Sequence, residues 1–387
     1  MSGASRLQVF YGARLFDGFA LREDCALVVE DGAVREIAAV AERPRGGAQH
    51  DLSGGVLAPG FVDWQVNGGG GVLFNATPTP EAIGAIAAAH RREGTTAILP
   101  TVITDAAEVL AAALDAAREA VRSAPGAFGV HVEGPYIDPR RKGVHQPEFM
   151  RAMREKDAEQ LIAADAGAMV VTLAPAAVGV DLIARLAAAG LIVSLGHAEA
   201  SAEEAAAAFA AGARAVTHLF NAMSQLSSRA PGLVGAALAD RNVVCGLIAD
   251  GHHVHDAAMR TAFNAKGAGG IALVSDAMPP AAGGPPVFAL QGRRMMRAGA
   301  RLVAEDGALA GAAITMLDSV RYVVKTLGLP LADALRMATS TPARLLRLDD
   351  RIGRLARGLR ADLVHLSDDL GLAGVWVGGR AERETRR

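Results

Sequence analysis

Cysteine is scarce in this chain: its 387 residues include two, Cys25 and Cys245. Two thiols cannot build a disulfide framework, and such usage is typical of a reducing compartment, so we expect a cytoplasmic protein. Long hydrophobic runs are missing as well. Although 51% of the residues are hydrophobic, no run approaches the ~20 apolar residues that a membrane span needs. We therefore expect no membrane partner.

A large excess of charge of one sign is missing too. The first ten residues lack a cationic region followed by an apolar core, so the sequence predicts no secretory signal. The formal net charge is −2, and acidic and basic residues are interspersed. This balance gives no support for nucleic-acid binding.

The middle of the chain alternates short β-branched or apolar runs with helical segments. The predicted strands are 57–66, 95–101, 128–133, 169–174, 191–197, 214–218, 243–249 and 271–276. Each step takes about thirty residues, the length of a βα unit. The sequence thus predicts an α/β protein with a (β/α)8 TIM-like barrel. The main alternative is a doubly wound open sheet, but the glycines at 68–71 lack the Gly-x-Gly-x-x-Gly spacing expected after its first strand.

Both ends of the chain have the pattern of short strands and turns, with little helix. An Asp31-Gly32 pair between two apolar runs is typical of a hairpin. A similar strand pattern returns near the C-terminus, around residues 361–366 and 375–379. We predict a small β-sandwich domain built from residues 1–58 and 350–387, with the barrel at 59–349.

Two predicted barrel strands stop on a histidine, His197 and His218, which are 21 residues apart. The carboxyl ends of the strands meet on one face of such a barrel, so the two imidazoles are expected side by side. A third strand stops on Glu133, and a buried glutamate without a partner is costly. One carboxylate and two imidazoles are typical of a catalytic zinc site. Either histidine alone could be an ordinary polar strand end; the pair indicates one divalent ion, expected to be zinc.

The first, fourth and eighth predicted strands bear on the number of metal ions and on the catalytic base. The first barrel strand carries Gln65 and Asn67 where many metal hydrolases on this barrel carry His-x-His, and the fourth offers no lysine to bridge two ions. Asp276 ends the eighth strand and is predicted to handle the proton of the attacking water. It could instead cap the following turn. His131 is expected to be a core histidine.

Loops at the same barrel mouth carry Lys142 to His145, Asn221 to Met223 with Arg229, and Asp250 to His253. Their amide, guanidinium and imidazole donors suit a polar, anionic ligand such as a sugar phosphate. Taken singly, each could be an ordinary surface residue. The crowding of His252, His253 and His255 also allows an adventitious metal site.

Taken in order, these motifs resemble those of the N-acetylglucosamine-6-phosphate deacetylases of the amidohydrolase superfamily. The resemblance covers nearly the whole chain and is carried by residues 59–63, 131–135, 142–145, 173–175, 196–197, 217–223, 229–232, 249–253 and 275–277. It implies hydrolysis of the acetamide of N-acetylglucosamine 6-phosphate to glucosamine 6-phosphate and acetate.

The resemblance also implies roles for individual residues. It implies that the ion is held by Glu133, His197 and His218, with Asp276 as the general base and then acid. His145 would polarise the acetamide carbonyl. The implied substrate contacts are Val144, His145, Asn221, Ala222, Asp250, His253, Leu309, Ala310 and Gly311, although the family often has serine at the position of Ala310. Arg229 typically reaches the phosphate bound in the neighbouring subunit, which implies a homodimer.

Two other functions stay open on the sequence. One is an amidohydrolase that acts on a different N-acyl or cyclic amide, which a missing phosphate contact at Arg229 would indicate. The other is a non-catalytic sugar-phosphate-binding protein, for which Asp276 would be unnecessary. A shared fold decides neither.

Overall fold

The computed structural model describes residues 7–299, 301–304, 307 and 309–384. The N-terminal part contains seven strands, β1 to β7, at Leu7–Tyr11, Arg14–Phe16, Leu21–Arg22, Cys25–Glu30, Ala33–Ala39, Ala48–Asp51 and Val56–Pro59. Strands β8 to β17 follow at Phe61–Val66, Gly68–Gly69, Val72–Leu73, Thr95–Ile103, Gly129–Glu133, Ala168–Leu173, Ile192–Leu195, Ala215–Val216, Val244–Leu247 and Ile271–Leu273. Strands β18 to β24 are Val287–Leu290, Arg293–Ala298, Arg301–Ala304, Leu309–Ala312, Leu363–Leu366, Leu372–Val377 and Arg380–Glu384.

The helices lie between the strands of the middle region and after β21. Helices α1 to α11 are Pro80–Arg91, Ala107–Ser123, Glu155–Ala163, Pro175–Val178, Val180–Ala188, Ala202–Ala210, Gly232–Ala239, Asp256–Lys266, Met316–Arg321, Leu331–Ala338 and Ser340–Leu345. Within the described ranges, none of them combines the length and the apolar character needed to cross a membrane.

Eight parallel strands form the barrel in the order β8-β11-β12-β13-β14-β15-β16-β17. A parallel backbone bridge between Val66 and Ala277 joins the last strand to the first and closes the sheet. The predicted (β/α)8 barrel is confirmed, and the open doubly wound sheet is wrong. Because all eight strands are parallel, their carboxyl ends share one mouth.

The strands stop earlier than predicted at the histidines and at Asp276. Strand β14 ends at Leu195, β15 at Val216 and β17 at Leu273. His197, His218 and Asp276 lie beyond these ends with φ of 48°, 31° and 48°. Such positive φ values are uncommon for residues other than glycine and are incompatible with a strand. The backbone therefore turns out of the sheet at each of these three residues.

Two mixed sheets form the small domain. Their strand orders are β5-β4-β1-β6 and β24-β23-β22-β7-β2-β3, so strands from both termini share the second sheet. One buried cluster joins the two sheets, including Phe10 and Leu27 from the first and Leu57, Leu363 and Trp376 from the second. The predicted β-sandwich from both termini is confirmed. Strand β7 ends in this sheet at Pro59 and β8 opens the barrel at Phe61, while the two predicted domain boundaries, after residues 58 and 349, stay a prediction.

Strands β18 to β21 form an antiparallel sheet at the barrel mouth that the sequence did not predict. The side chain of Gln291 donates to the carbonyl of Thr104 at 2.7 Å, and Arg293 donates to the carbonyl of Val144. Leu309, Ala310 and Gly311, which the resemblance implies as substrate contacts, belong to β21. This inserted sheet therefore forms one wall of the mouth.

Candidate metal centre and active site

Glu133, His197 and His218 converge at the barrel mouth from β12 and from the segments after β14 and β15. The Nε2 atoms of the two histidines are 3.1 Å apart. Glu133 Oε1 lies 3.1 Å from Nε2 of His197 and 3.0 Å from Nε2 of His218. Ligand atoms about 2.1 Å from a tetrahedral zinc ion are separated by about 3.4 Å, so these three atoms lie nearly at the spacing of one coordination sphere.

The hydrogen bonds around the three residues show that a cation fits. Nδ1 of His197 lies 2.8 Å from the carbonyl oxygen of Arg141, so Nδ1 carries the proton and Nε2 presents its lone pair. All three side chains are at least nine-tenths buried. A lone pair facing a carboxylate oxygen in such a site is repulsive unless a cation lies between them. The three residues therefore form a buried group capable of binding a metal ion, and within the described part of the chain no other group of three has this geometry.

The electrostatics favour an ionised Glu133. Burial by itself raises the pKa of this carboxyl group, but its contacts with the imidazoles of His197 and His218 lower the pKa by more. The pKa of Glu133 is therefore held well below its usual range. An ionised carboxylate is the form that ligates a metal.

Asp276 faces this group across the mouth. Its Oδ1 atom accepts hydrogen bonds from the Asn67 amide at 2.7 Å and from the Gln65 amide at 3.2 Å. The same Gln65 amide lies 3.3 Å from Oε2 of Glu133. Burial, with the negative charge of Glu133, raises the pKa of Asp276 to about 6. A carboxyl group poised near neutral pH is suited to accept and return a proton.

His145 lies beside the three residues that could bind the metal ion. Its ring centroid is 4.4 Å from that of His197, and its Nδ1 atom lies 2.8 Å from the hydroxyl of Thr104. Burial, followed by the neighbouring charge of His197, lowers the pKa of His145 well below its usual value. The ring is therefore neutral at pH 7 and can donate one N–H to a ligand.

His253 enters the mouth from the loop after β16. Its Nδ1 atom lies 2.7 Å from Oδ2 of Asp250, whose Oδ1 accepts from the backbone N–H groups of His252 and His253 at 2.8 and 2.9 Å. Nε2 of His253 is buried and has no protein partner among the described residues. Asp250 thus orients His253, which points a free ring nitrogen toward a ligand.

The remaining histidines of this loop do not form a metal site. Nδ1 of His255 accepts the backbone N–H of Ala257 at 3.1 Å and caps α8.

His131, at the third strand, lies 2.7 Å from the Thr172 hydroxyl in the barrel interior. Burial lowers the pKa of His131 to about 4, as expected for a neutral core histidine.

One cavity of about 410 Å³ joins these groups. Eleven of the predicted site residues line it: Glu133, Val144, His145, His197, His218, Asn221, Ala222, His253, Asp276, Leu309 and Gly311. Three predicted residues are not part of its lining. Asp250 lies behind His253, Ala310 is fully buried, and Arg229 is exposed on the loop before α7.

The chain matches the amidohydrolase family model over residues 56–381. The chain belongs to the amidohydrolase family. The N-acetylgalactosamine-6-phosphate deacetylase of a Shewanella species is 42% identical to it over 95% of this chain and 94% of the relative. The N-acetylglucosamine-6-phosphate deacetylase of Haemophilus influenzae is 34% identical over 95% and 97%. The structure of N-acetylglucosamine-6-phosphate deacetylase from Pasteurella multocida superposes with a TM-score of 0.94 at 33% identity, covering 98% of this chain and 100% of that chain. The resemblance stated from the motifs is confirmed.

Several residues of this amidohydrolase's mouth were not assigned a role from the sequence. Gln65 and Asn67 stand where many metal hydrolases carry His-x-His, and their amides donate to Asp276. Asp63, earlier on the same strand, accepts the backbone N–H of Ser275 at 3.3 Å and its hydroxyl, and so fixes the residue before Asp276. The alternation of Asp63, Gln65 and Asn67 on one strand was the signal that could have identified them.

The positions of Gln65 and Asn67 lead to a prediction of metal content. The Gln65 amide bridges Glu133 and Asp276, and the Asn67 amide donates to Asp276, where a second ion would need its own ligands. Elemental analysis of fully active amidohydrolase should therefore give about one divalent ion per chain, as expected for three protein ligands and an open position. Two tightly held ions per chain in the fully active protein would contradict this prediction.

Proposed function

We propose that this amidohydrolase removes the acetyl group from N-acetylglucosamine 6-phosphate, giving glucosamine 6-phosphate and acetate. The observation that carries the proposal is the placement of Asp276 opposite Glu133, His197 and His218 in one buried mouth. A group able to hold a metal ion and a carboxyl group able to move a proton are what amide hydrolysis requires. The names of the relatives support the substrate class.

Each residue of the group has a proposed role. Glu133, His197 and His218 would hold one divalent ion, and zinc is the proposed metal because one carboxylate and two imidazoles leave an open position for water or substrate. When bound, such an ion lowers the pKa of water toward neutrality and polarises a carbonyl oxygen. The carbonyl of Arg141 keeps His197 oriented for this task.

Asp276 and His145 would act on the amide itself. Asp276 accepts a proton from the attacking water and returns it to the leaving nitrogen, so that the C–N bond breaks with the amine as the leaving group. The Thr104 hydroxyl can donate to Nδ1 of His145, which leaves the N–H at Nε2 to donate to the carbonyl oxygen as it gains negative charge. The neutral state of the His145 ring supports this role.

The loops around the cavity would bind the sugar phosphate. Asn221, Ala222 and His253 are the proposed sugar contacts, with the backbone of Val144 and of β21 closing the cavity. Arg229 is the proposed phosphate contact, donated across a homodimer, which agrees with its exposure and with its absence from the lining of its own chain's cavity. The two cysteines are unpaired, so we retain a reducing cytoplasm as the expected location.

The galacto epimer is a second candidate substrate. The relative at 42% identity carries the name N-acetylgalactosamine-6-phosphate deacetylase, whereas the Haemophilus influenzae relative at 34% is named for the gluco epimer. The two sugars differ only at C4, so the acetamide chemistry proposed here applies to both.

The deciding experiment incubates the purified, metal-loaded protein with each 6-phosphate in turn and follows free amine and acetate. Equal amounts of amine and acetate, released from at least one of the two substrates, are the expected result. The ratio of kcat/KM between the epimers then assigns the preferred sugar. Release from neither would contradict the proposed function and would favour an amidohydrolase of a different amide.

The proposed contact of Arg229 predicts a substrate-dependent loss. Arg229→Ala should raise KM for N-acetylglucosamine 6-phosphate, by about 2–4 kcal/mol of binding if the pair is desolvated at a dimer interface. The loss should shrink for N-acetylglucosamine, which lacks the phosphate. Steady-state kinetics on both substrates measure the difference, and equal losses on both would rule out a phosphate contact.

A mixing experiment tests whether Arg229 acts in the neighbouring subunit. In a heterodimer of an Arg229→Ala chain and an Asp276→Asn chain, one site would combine an intact Asp276 with an intact Arg229 from the other chain. Mixing two nearly inactive proteins should therefore restore part of the activity. No recovery in mixtures shown to contain heterodimers would place the action of Arg229 within its own chain.

A further inference from the structure

Three consecutive basic residues, Arg140, Arg141 and Lys142, line the cavity on the loop after β12. Two of them are neutralised by carboxylates. The Arg140 guanidinium pairs with Asp138 at 2.6 Å, and the Arg141 guanidinium pairs with Glu199. Lys142 is exposed, and its ammonium has no carboxylate within ion-pair distance among the described residues. The Nζ atom of Lys142 lies 3.5 Å from the carbonyl oxygen of Gly143, which is at the limit of a hydrogen bond.

The backbone around Lys142 is fixed to the catalytic groups on both sides. On one side, the carbonyl of Arg141 accepts the N–H of the His197 ring at 2.8 Å. On the other side, the backbone N–H of His145 donates to the carbonyl of Lys142 at 3.0 Å. The backbone of Lys142 therefore has a defined position relative to the residues that would act on the acetamide, and its side chain is exposed at the cavity.

Gly143 explains why this loop can approach His197, one of the three residues that could bind the metal ion, so closely. Its φ is +55°, and a Cβ atom there would lie 3.3 Å from Cε1 of His197. Glycine is the residue that adopts this conformation without strain and without a side chain to displace the ring. Lys142, the residue before Gly143, lines the same cavity as His197.

From this arrangement, and on the basis of the proposed function, we infer that Lys142 binds the substrate phosphate from within each chain. A lysine ammonium is a compact point charge with three donors and is a common partner of phosphate. A dianionic phosphate carries more charge than one cation neutralises. Lys142 would therefore act together with Arg229, whose guanidinium is not part of the cavity of its own chain.

The test compares Lys142→Gln with the wild-type protein on phosphorylated and unphosphorylated substrate. Lys142→Gln should raise KM for N-acetylglucosamine 6-phosphate about tenfold, the effect of one charge-assisted hydrogen bond at an open rim, with little change in kcat. The kcat/KM for N-acetylglucosamine should stay within about twofold of wild type. Lys142→Arg keeps the charge and should recover most of the loss.

Lys156→Gln is the matched control, because Lys156 is an exposed lysine on α3 outside the cavity. It removes the same charge from the protein and should leave both KM values unchanged. An equal loss from Lys156→Gln would mean that the effect is one of overall charge, and the inference would be wrong. Equal losses on both substrates from Lys142→Gln, or no loss on either, would also overturn it.

A binding measurement separates this inference from the proposed function. Titration calorimetry with glucosamine 6-phosphate should show affinity about tenfold weaker for Lys142→Gln than for wild type, with glucosamine bound equally by both. This readout needs no turnover. If the wild-type protein hydrolyses neither epimer but the calorimetric difference is present, the proposed reaction fails and Lys142 still binds phosphate. Equal affinities for glucosamine 6-phosphate overturn the inference even in an active enzyme.

Discussion

His218→Ala should give a folded protein that has lost both its divalent ion and its activity. The substitution removes one of three ligand atoms that lie within 3.1 Å of one another, and two ligands rarely hold a divalent ion. A bound ion contributes several kcal/mol to the transition state, so activity should fall by at least ~10³-fold. Elemental analysis and initial rates on the same preparation measure the two losses.

Two matched measurements show whether the loss is specific. His255→Ala removes an exposed histidine that caps α8, and it should keep both the ion and the activity. Chelation of the wild-type protein should reproduce the His218→Ala phenotype and be reversed by added metal. A His218→Ala protein that retains one ion per chain and near wild-type rates would show that these three residues are not the metal site.

The barrel could be predicted because its signal is local. Each β-branched run followed by a helical segment predicts one βα unit, and eight such units allow few other folds. The strand ends could not be placed, since His197, His218 and Asp276 have positive φ values that residue propensities do not indicate. These are residues for which we propose functional roles, and strained backbone is often found at functional sites.

The metal ligands were predictable for the same reason, because parallel strands bring their carboxyl ends together whatever lies between. The partners of Asp276 were not. Gln65 and Asn67 are more than 200 residues away in sequence, and they reach Asp276 only because the barrel closes between β8 and β17. Closure of the barrel is a tertiary property, so the hydrogen bonds from the Gln65 and Asn67 amides to Asp276 could be seen only in the structure.

The inserted sheet was missed because its pattern resembles a loop. Strand β19 carries four exposed residues out of six, and arginines at Arg293, Arg294 and Arg297 obscure the alternation of apolar residues. The few buried apolar side chains of the sheet, such as Met295 on β19 and Leu302 on β20, pack with Val144 and Met278 in a small separate core. A strand that buries so few residues gives a weak sequence signal.

Asp276→Asn should retain the fold and the metal ion but lose at least ~10²-fold in kcat, the lower end of what a positioned acid–base group contributes. Asparagine keeps the shape of the side chain and removes only its basicity. An oxygen at Oδ1 can still accept from the Asn67 and Gln65 amides, so the local contacts should survive. Substrate affinity should change little.

The pH dependence offers a second measurement of the same role. A general base must be ionised, so activity is lost as the pH falls through its pKa. Burial and the charge of Glu133 raise the pKa of Asp276 to about 6, and a bound cation lowers it, because a nearby positive charge favours the carboxylate. The wild-type log kcat/KM should therefore fall with unit slope on the acid side, at or below about pH 6, and the Asn variant should lose this limb.

The alternative role, a cap for the turn at Pro279-Pro280, predicts a different result. In the described part of the chain, the Asp276 carboxylate is held by the side chains of Gln65 and Asn67, and no backbone N–H of residues 277–284 donates to it. If Asp276 were a cap, its substitution would lower the thermal stability of the protein and leave kcat nearly intact. If Asp276→Asn keeps its ion and turns over at the wild-type rate, with the acid limb unchanged, then Asp276 is not the base and the mechanism proposed here is wrong.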